Sequence, residues 1–319
     1  MDEQIASVLE RRFPERDVAE VKPSGPSWND QNRTVGIDFA DGETIFLKMS
    51  NGGDGSRIAR ERAAIDYVGE KRSVPVPRVV ASDTEGDVPY LATESVSGRN
   101  FLHLWSDASM ARRATLARQV GESLASVHAL RFENHGHIGG GGATGLELET
   151  GSWTDVLIDT IYEMREIASS NRFDHHFDGV VSAVEANREL LDEAPAALLH
   201  GDPAKPNCFG TENGIGFLDW EIAHVGDPVR NIYRTRNLQF GSLRADAPEE
   251  IASAFYDGYR ERADGFPPGF EARRPVYAAV RFLAHAGVFD KWAAFLDESS
   301  DELAEWMDGE MERRLAEID

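Results

Sequence analysis

A single cysteine, Cys208, stands in 319 residues. With no second thiol the chain cannot close an intramolecular disulfide. Long apolar runs are also missing, and no stretch approaches the roughly 20 apolar residues that a membrane-spanning helix needs. The opening residues, MDEQIASVLERRF, are acidic and amphipathic, without the basic segment followed by an apolar one that marks a secretory signal. These absences lead us to expect a soluble cytoplasmic protein. Positive charge is scarce: 33 basic residues face 56 acidic ones, a net charge of -23, and only five of the basic residues are lysine. The acids are scattered along the whole chain. Such a surface repels phosphate backbones and anionic lipid, so we expect neither nucleic acid nor membrane as a partner.

What is present has a clear order. Ile5, Val8, Leu9 and Phe13 recur at helical spacing and predict a short leading helix. Val18 to Pro23, Arg33 to Phe39 and Thr44 to Met49 read as strands, with Asp41-Gly42 as the hairpin turn between the last two. Alternation in the third strand puts Ile45, Leu47 and Met49 on one face and Lys48 on the other. A helix follows from about residue 56 to 70. Its apolar stripe of Ile58, Ile65 and Val68 includes Glu61, and a carboxylate on a buried face needs a cation to meet it. Lys48 is the natural partner, with Arg57 as the alternative. Strands are also expected over residues 78–82 and 90–96, ending in Thr93-Glu94-Ser95-Val96.

Beyond Gly98 the pattern turns helical, with a long helix expected over 109–130, two more over 153–167 and 177–191, and three between 248 and 319. His128 lies beside the apolar stripe of its helix and reads as a core residue. His135 and His137 have no carboxylate or cysteine at ligand spacing. The four glycines that follow, Gly139 to Gly142, resist a fixed conformation and predict a mobile loop.

The most informative stretch is LLHGDPAKPNCFGTENGIGFLDWE, residues 198–221. Asn213-Gly214 between two apolar runs predicts a hairpin, which returns Asp219 towards Asp202 and Asn207. Two carboxylates and a carboxamide converge on one spot, and the two carboxylates repel each other unless a cation joins them. Their oxygens suit a hard ion such as magnesium.

The run HGDPAKPN, followed by FLDWE and then Gly226-Asp227-Pro228, resembles the catalytic core of the aminoglycoside phosphotransferase family. These are small-molecule kinases whose fold is like that of the protein kinases. The resemblance is strong over 198–228 and moderate over 44–98. It implies an α+β, protein-kinase-like two-lobed fold: a small antiparallel β-sheet lobe over residues 1–97 that binds the nucleotide, and a larger, mainly helical lobe over 98–319 that carries catalysis and substrate. It implies that Asp202 accepts the proton of the substrate hydroxyl and that Asn207 and Asp219 hold magnesium. Lys48, oriented by Glu61, reaches the ATP phosphates, and backbone groups of Glu94 and Val96 bind the adenine edge. The phosphate-covering loop matches poorly, since Ser24 to Asp30 holds no Gly-x-Gly-x-x-Gly. Ser27 and nearby backbone N–H groups are the candidates there. A second aspartate that commonly follows the Gly-Asp-Pro segment in the family is absent, with Val229-Arg230-Asn231 in its place.

The function so implied is transfer of the ATP γ-phosphoryl group to the hydroxyl of a small molecule. A catalytically silent nucleotide-binding module of the same fold and a magnesium-dependent phosphohydrolase remain open alternatives. No activation segment of the protein-kinase type is visible. Aminoglycosides, choline-like alcohols, homoserine, thioribose sugars and protein-linked sugars all serve as acceptors in related families, and no residue here selects among them. The acidic, arginine-rich composition is similar to that of proteins from extreme halophiles.

Overall fold

The computed structural model describes residues 2–24 and 31–318. Residues 25–30 of the expected phosphate loop, including Ser27, lie outside them. In chain order the first elements are α1 (Glu3–Arg12), β1 (Val18–Pro23), β2 (Asn32–Phe39), β3 (Thr44–Ser50), α2 (Ser56–Lys71), β4 (Val79–Asp83) and β5 (Tyr90–Glu94). Next come β6 (Arg99–Asn100), α3 (Phe101–Ser106), α4 (Met110–His128), β7 (His135–Gly142), β8 (Gly145–Gly151), α5 (Trp153–Glu166), α6 (Asp174–Ala186) and α7 (Arg188–Asp192). The last part holds β9 (Ala197–Leu199), β10 (Cys208–Thr211), β11 (Gly214–Phe217), β12 (His224–Gly226), α8 (Pro228–Phe240), α9 (Glu249–Ala263), α10 (Phe270–Gly287), α11 (Phe289–Ala293) and α12 (Ser300–Leu315). No helix among the described residues is long and apolar enough to cross a membrane.

The chain divides into two compact units. The first holds residues 1–108, 138–149 and 200–223. Its main sheet is antiparallel, in the order β1-β2-β3-β5-β4. Asp2 caps α1 by accepting from the Gln4 N–H at 3.0 Å, and Ile5, Val8 and Leu9 fall on the helix face that packs on this sheet. Ile37, Leu47 and Met49 supply much of the core beneath, so the alternation read from β3 holds and Lys48 lies on the opposite face. The Asn213-Gly214 turn closes β10 onto β11 in the expected hairpin, and β6 pairs with the outer side of β10.

The second unit holds residues 109–137, 150–199 and 224–319. Helices α4 and α9 approach closely because glycine stands at both sides of the crossing. A Cβ on Gly121 would sit 2.2 Å from the Phe255 carbonyl, and one on Gly258 would sit 2.1 Å from the Arg118 carbonyl. Asp227, from the Gly-Asp-Pro segment, is fully buried and serves structure. One oxygen accepts from the Val229 N–H at the start of α8, and the other receives Arg273 at 2.7 Å and the Tyr277 hydroxyl at 2.6 Å.

His128 is buried as expected, held between the Tyr259 hydroxyl at 3.0 Å and Asn231 at 3.2 Å. Burial pushes it down to about 3. Between that value and the ordinary 6.5 the unfolded chain binds a proton that the folded chain refuses, so stability is lost as pH falls through this window. The slope from this one residue is about 1.4 kcal/mol per pH unit at most. Urea unfolding at pH 7 and pH 5 should show a shallower pH dependence in His128→Gln than in the wild type.

Three expectations need correction. Gly139 to Gly142 is strand, not mobile loop: β7 runs through it and pairs with β8, and Arg62 donates to the Gly141 carbonyl at 2.6 Å. The helix expected over 177–191 is two, α6 and α7, separated at Asn187. The segment after 248 holds four helices, because a short one, α11, interrupts the run after Val288.

Candidate active site

The side chains expected to act together on phosphate all belong to the first unit. The catalytic loop is set by its backbone. Gly201 adopts φ +87°, and a Cβ there would lie 2.4 Å from the Ile222 carbonyl. Glycine is therefore required before Asp202. Gly201→Ala is expected to lower the unfolding free energy by more than about 1 kcal/mol, as read by urea denaturation.

His200 is fully buried, 4.4 Å from Trp220 between ring centroids. Its Nδ1 accepts from the Asp202 N–H at 3.2 Å, which requires the proton on Nε2, and Nε2 donates to the Leu218 carbonyl at 2.9 Å. A neutral histidine thus ties the Asp202 loop to the segment that leads from β11 to Asp219. Past Asp202 the chain makes a short turn through Lys205–Asn207. Asn207 folds back to donate from Nδ2 to the Asp202 carbonyl at 3.0 Å and to its carboxylate at 3.3 Å. The Leu218 N–H donates to the Asn207 carbonyl at 2.8 Å.

Asp219 sits at φ +63°, in the left-handed region that aspartate and asparagine enter more readily than other side chains. Its side chain meets Lys48, whose Nζ lies 2.5 Å from Asp219 Oδ1, 2.6 Å from Glu61 Oε2 and 2.9 Å from Glu221 Oε2. Lys48 and Glu61 are therefore paired, and Arg57, the alternative partner for Glu61, instead meets Glu221 at 3.2 Å.

Glu221 is the functional-site neighbour that sequence reasoning missed. Besides Lys48 and Arg57 it accepts from Asn32 Nδ2 at 2.7 Å, so it joins β2, β3 and α2 through one carboxylate. A signal was available. Asp219 and Glu221 stand two apart around a buried tryptophan, so a second carboxylate lay close in sequence to the one already expected at the site.

The electrostatics follow from this crowding. Burial pushes the Lys48 ammonium down, yet Glu61, Asp219 and Glu221 outweigh it and hold it well above the ordinary lysine value. Burial raises Glu61 to about 7 against the pull of Lys48, and burial likewise raises Asp219. Burial also acts on Glu221, but Lys48, Asn32 and Arg57 prevail and bring it to about 2. Oxygens of Glu61, Asp219 and Glu221 lie within 4.8 Å of one another, and Asp202 is a further carboxylate of the same unit. Lys48 Nζ already sits among the first three, so the oxygens of Asp219, Asp202 and Asn207 are the donors that suit a hard divalent cation such as magnesium.

Glu94 ends β5, where its side chain pairs with Arg78 and its N–H donates to the Arg78 carbonyl at 2.9 Å. Val96, two residues on, is half-buried.

The model of the phosphotransferase enzyme family matches residues 27–283. The chain belongs to that family. Several solved structures share the fold of this phosphotransferase-family chain. A fructosamine-3-kinase described as putative, from Thermobifida fusca, is 21% identical, with 91% of this chain and 94% of that one covered at a TM-score of 0.62. A thermostable mutant of the aminoglycoside phosphotransferase APH(4)-Ia, in a ternary complex with ADP and hygromycin B, is 14% identical over 98% and 97% of the two chains, with a TM-score of 0.62. The choline kinase LicA from Streptococcus pneumoniae is 12% identical over 99% and 100%, with a TM-score of 0.64. At these identities the likeness speaks for the fold, which is the α+β, protein-kinase-like one expected from the sequence. No curated protein matches the sequence.

Proposed function

We propose that this chain transfers the γ-phosphoryl group of ATP to a hydroxyl of a small molecule. The observation that carries the reading is Lys48 held at once by Glu61 and Asp219, in the unit that also carries the Asp202–Asn207 turn. Phosphoryl transfer passes through a loose transition state, so the protein's task is positioning and charge stabilisation. Lys48 neutralises phosphate oxygens, and Glu61 fixes its direction. Asp202 orients the acceptor hydroxyl and takes its proton as the oxygen bonds to the γ-phosphorus and the bond to the bridging oxygen of ADP breaks. Asn207 and Asp219 would hold magnesium, which when bound supplies positive charge against the nucleotide phosphates.

Residues 1–97 supply the nucleotide-binding part, with the adenine edge met by the Glu94 carbonyl and the Val96 N–H, and residues 98–319 supply catalysis and the acceptor site. Ser27 is retained as a phosphate contact. The family membership and the nucleotide complex of the hygromycin-binding relative support this reading.

The test is an acceptor screen with ATP and magnesium, spanning aminoglycosides, choline-like alcohols and ketosamines, read by mass spectrometry. A product heavier by one phosphoryl group, absent in Asp202→Asn, is the expected result. Phosphate release with no phosphorylated acceptor would point to hydrolysis and overturn the proposal.

A further inference from the structure

The second unit contains a cavity of about 250 Å³ between the loop after α8, the C-terminal half of α10 and α12. This is near the lower end of small-molecule sites, which run from roughly 300 Å³ upwards. Its lining reverses the chain's charge. Arg244, Arg281, Arg313 and Arg314 face it, against two carboxylates, Asp246 and Glu310. In a protein with 56 acidic and 33 basic residues, four guanidinium groups gathered on one small cavity oppose the trend of the whole surface.

The arginines differ in burial. Arg281 is 9% exposed and the Arg314 side chain 17%, whereas those of Arg244 and Arg313 are 41% and 52% exposed and pair, respectively, with Glu298 at 2.5 Å and with Glu310 at 2.7 Å and Glu317. Arg314 is braced by Glu310 at 2.7 Å and by the Ala278 carbonyl at 3.2 Å, yet its buried Nε has no hydrogen-bond acceptor among the described residues. Aromatic rings form the walls: Trp306 lies 4.7 Å beneath the Arg244 guanidinium and Phe282 4.8 Å beneath that of Arg314. Burial, then Arg281, Arg234 and Arg314, hold His285 on the same lining well below the ordinary histidine value. The imidazole therefore adds no charge, and the lining itself carries four guanidinium groups against two carboxylates.

We propose that this cavity is a binding site for a small organic oxyanion, a phosphate ester or carboxylate, held by Arg281 and Arg314 within and, in exchange for their present carboxylate partners, by Arg244 and Arg313 at the rim, with Trp306 beside it. Guanidinium pairs are the residue type best matched to such oxygens, because their N–H donors lie in a plane that fits two of them at once. The proposal goes beyond the phosphotransferase reading, since every lining residue belongs to the second unit and the readout is binding, not turnover.

Phenyl phosphate is the probe, titrated calorimetrically at constant ionic strength, with benzyl alcohol as its uncharged counterpart. One site is expected for phenyl phosphate and none for benzyl alcohol. Arg244→Gln and Arg313→Gln alter exposed rim groups and should each weaken binding about tenfold. Arg99→Gln, in the first unit, should leave it unchanged. Independently of any arginine variant, 5-fluorotryptophan labelling with Trp306→Phe to assign the resonance should show the Trp306 signal moving most on titration. No binding, equal binding of benzyl alcohol, unchanged affinity in both rim variants, or a titration that moves only the other tryptophans would each overturn the proposal.

Discussion

Asp202→Asn is expected to bind magnesium-ATP as the wild type does and to lose turnover by about 10²- to 10⁴-fold, the usual worth of a positioned general base. The substitution replaces one carboxylate oxygen by NH₂ with almost no change of shape. The loop should keep its place, because the stronger Asn207 bond runs to the main-chain carbonyl of residue 202 at 3.0 Å and the Asp202 N–H still reaches His200. What is lost is the proton acceptor. Calorimetric titration with a non-hydrolysable ATP analogue should return an unchanged affinity, and a coupled assay with the acceptor found in the screen should return the fall in kcat. Turnover that survives the substitution would remove Asp202 as the base. Loss of nucleotide affinity together with kcat would mean that the residue acts on binding instead.

Lys48→Met should be the most destabilising single change in the first unit. It removes the ammonium shared by three carboxylates, and breaking a buried ion pair by deleting one partner costs about 3–5 kcal/mol. Glu221 keeps Asn32 and Arg57, so the loss falls mainly on Glu61, whose side chain is 7% exposed. The effect should depend on pH with a definite sign. Glu61 stands at about 7 when folded, above its ordinary 4.5. Its contribution is therefore full below about pH 4.5 and is lost as pH rises through the folded value. Without Lys48 the folded value rises further, so the loss in the variant continues to higher pH. Urea unfolding should show a small deficit at pH 5.5 and a larger one at pH 8, and Lys48→Met/Glu61→Gln should recover much of it. A deficit that does not change with pH, or a double variant no better than the single one, would show that burial of charge is not its cause.

Much of the first unit was legible because its signals are local. Alternation in β3 located Lys48, the apolar stripe of α2 showed that Glu61 is buried, and Asn213-Gly214 fixed the hairpin that carries Asp219. Those readings rest on periodicity and turn chemistry, which a few neighbouring residues determine. Glu221 escaped because its role depends on three partners distant in sequence, Asn32, Lys48 and Arg57. The glycine run in β7 was misread for a related reason. Its local preference is for disorder, and the bonds that hold it come from the facing strand and from Arg60 and Arg62 on α2. The arginine cavity was invisible for the same cause, since Arg244, Arg281 and Arg314 come from three separate elements. An overall charge of -23 also gave no hint of a cationic site.

The measurement that tests the central claim most directly is a thermal-shift titration of the wild type and Asp219→Ala in molar potassium chloride, with and without ATP, GTP and magnesium. The account predicts stabilisation of the wild type only when ATP and magnesium are both present, by about 2.7 kcal/mol at a hundredfold excess over Kd, and none in a folded Asp219→Ala protein. Its absence in folded wild type, or a shift that needs no magnesium and survives Asp219→Ala, would contradict a phosphotransferase site built on Lys48, Glu61 and Asp219.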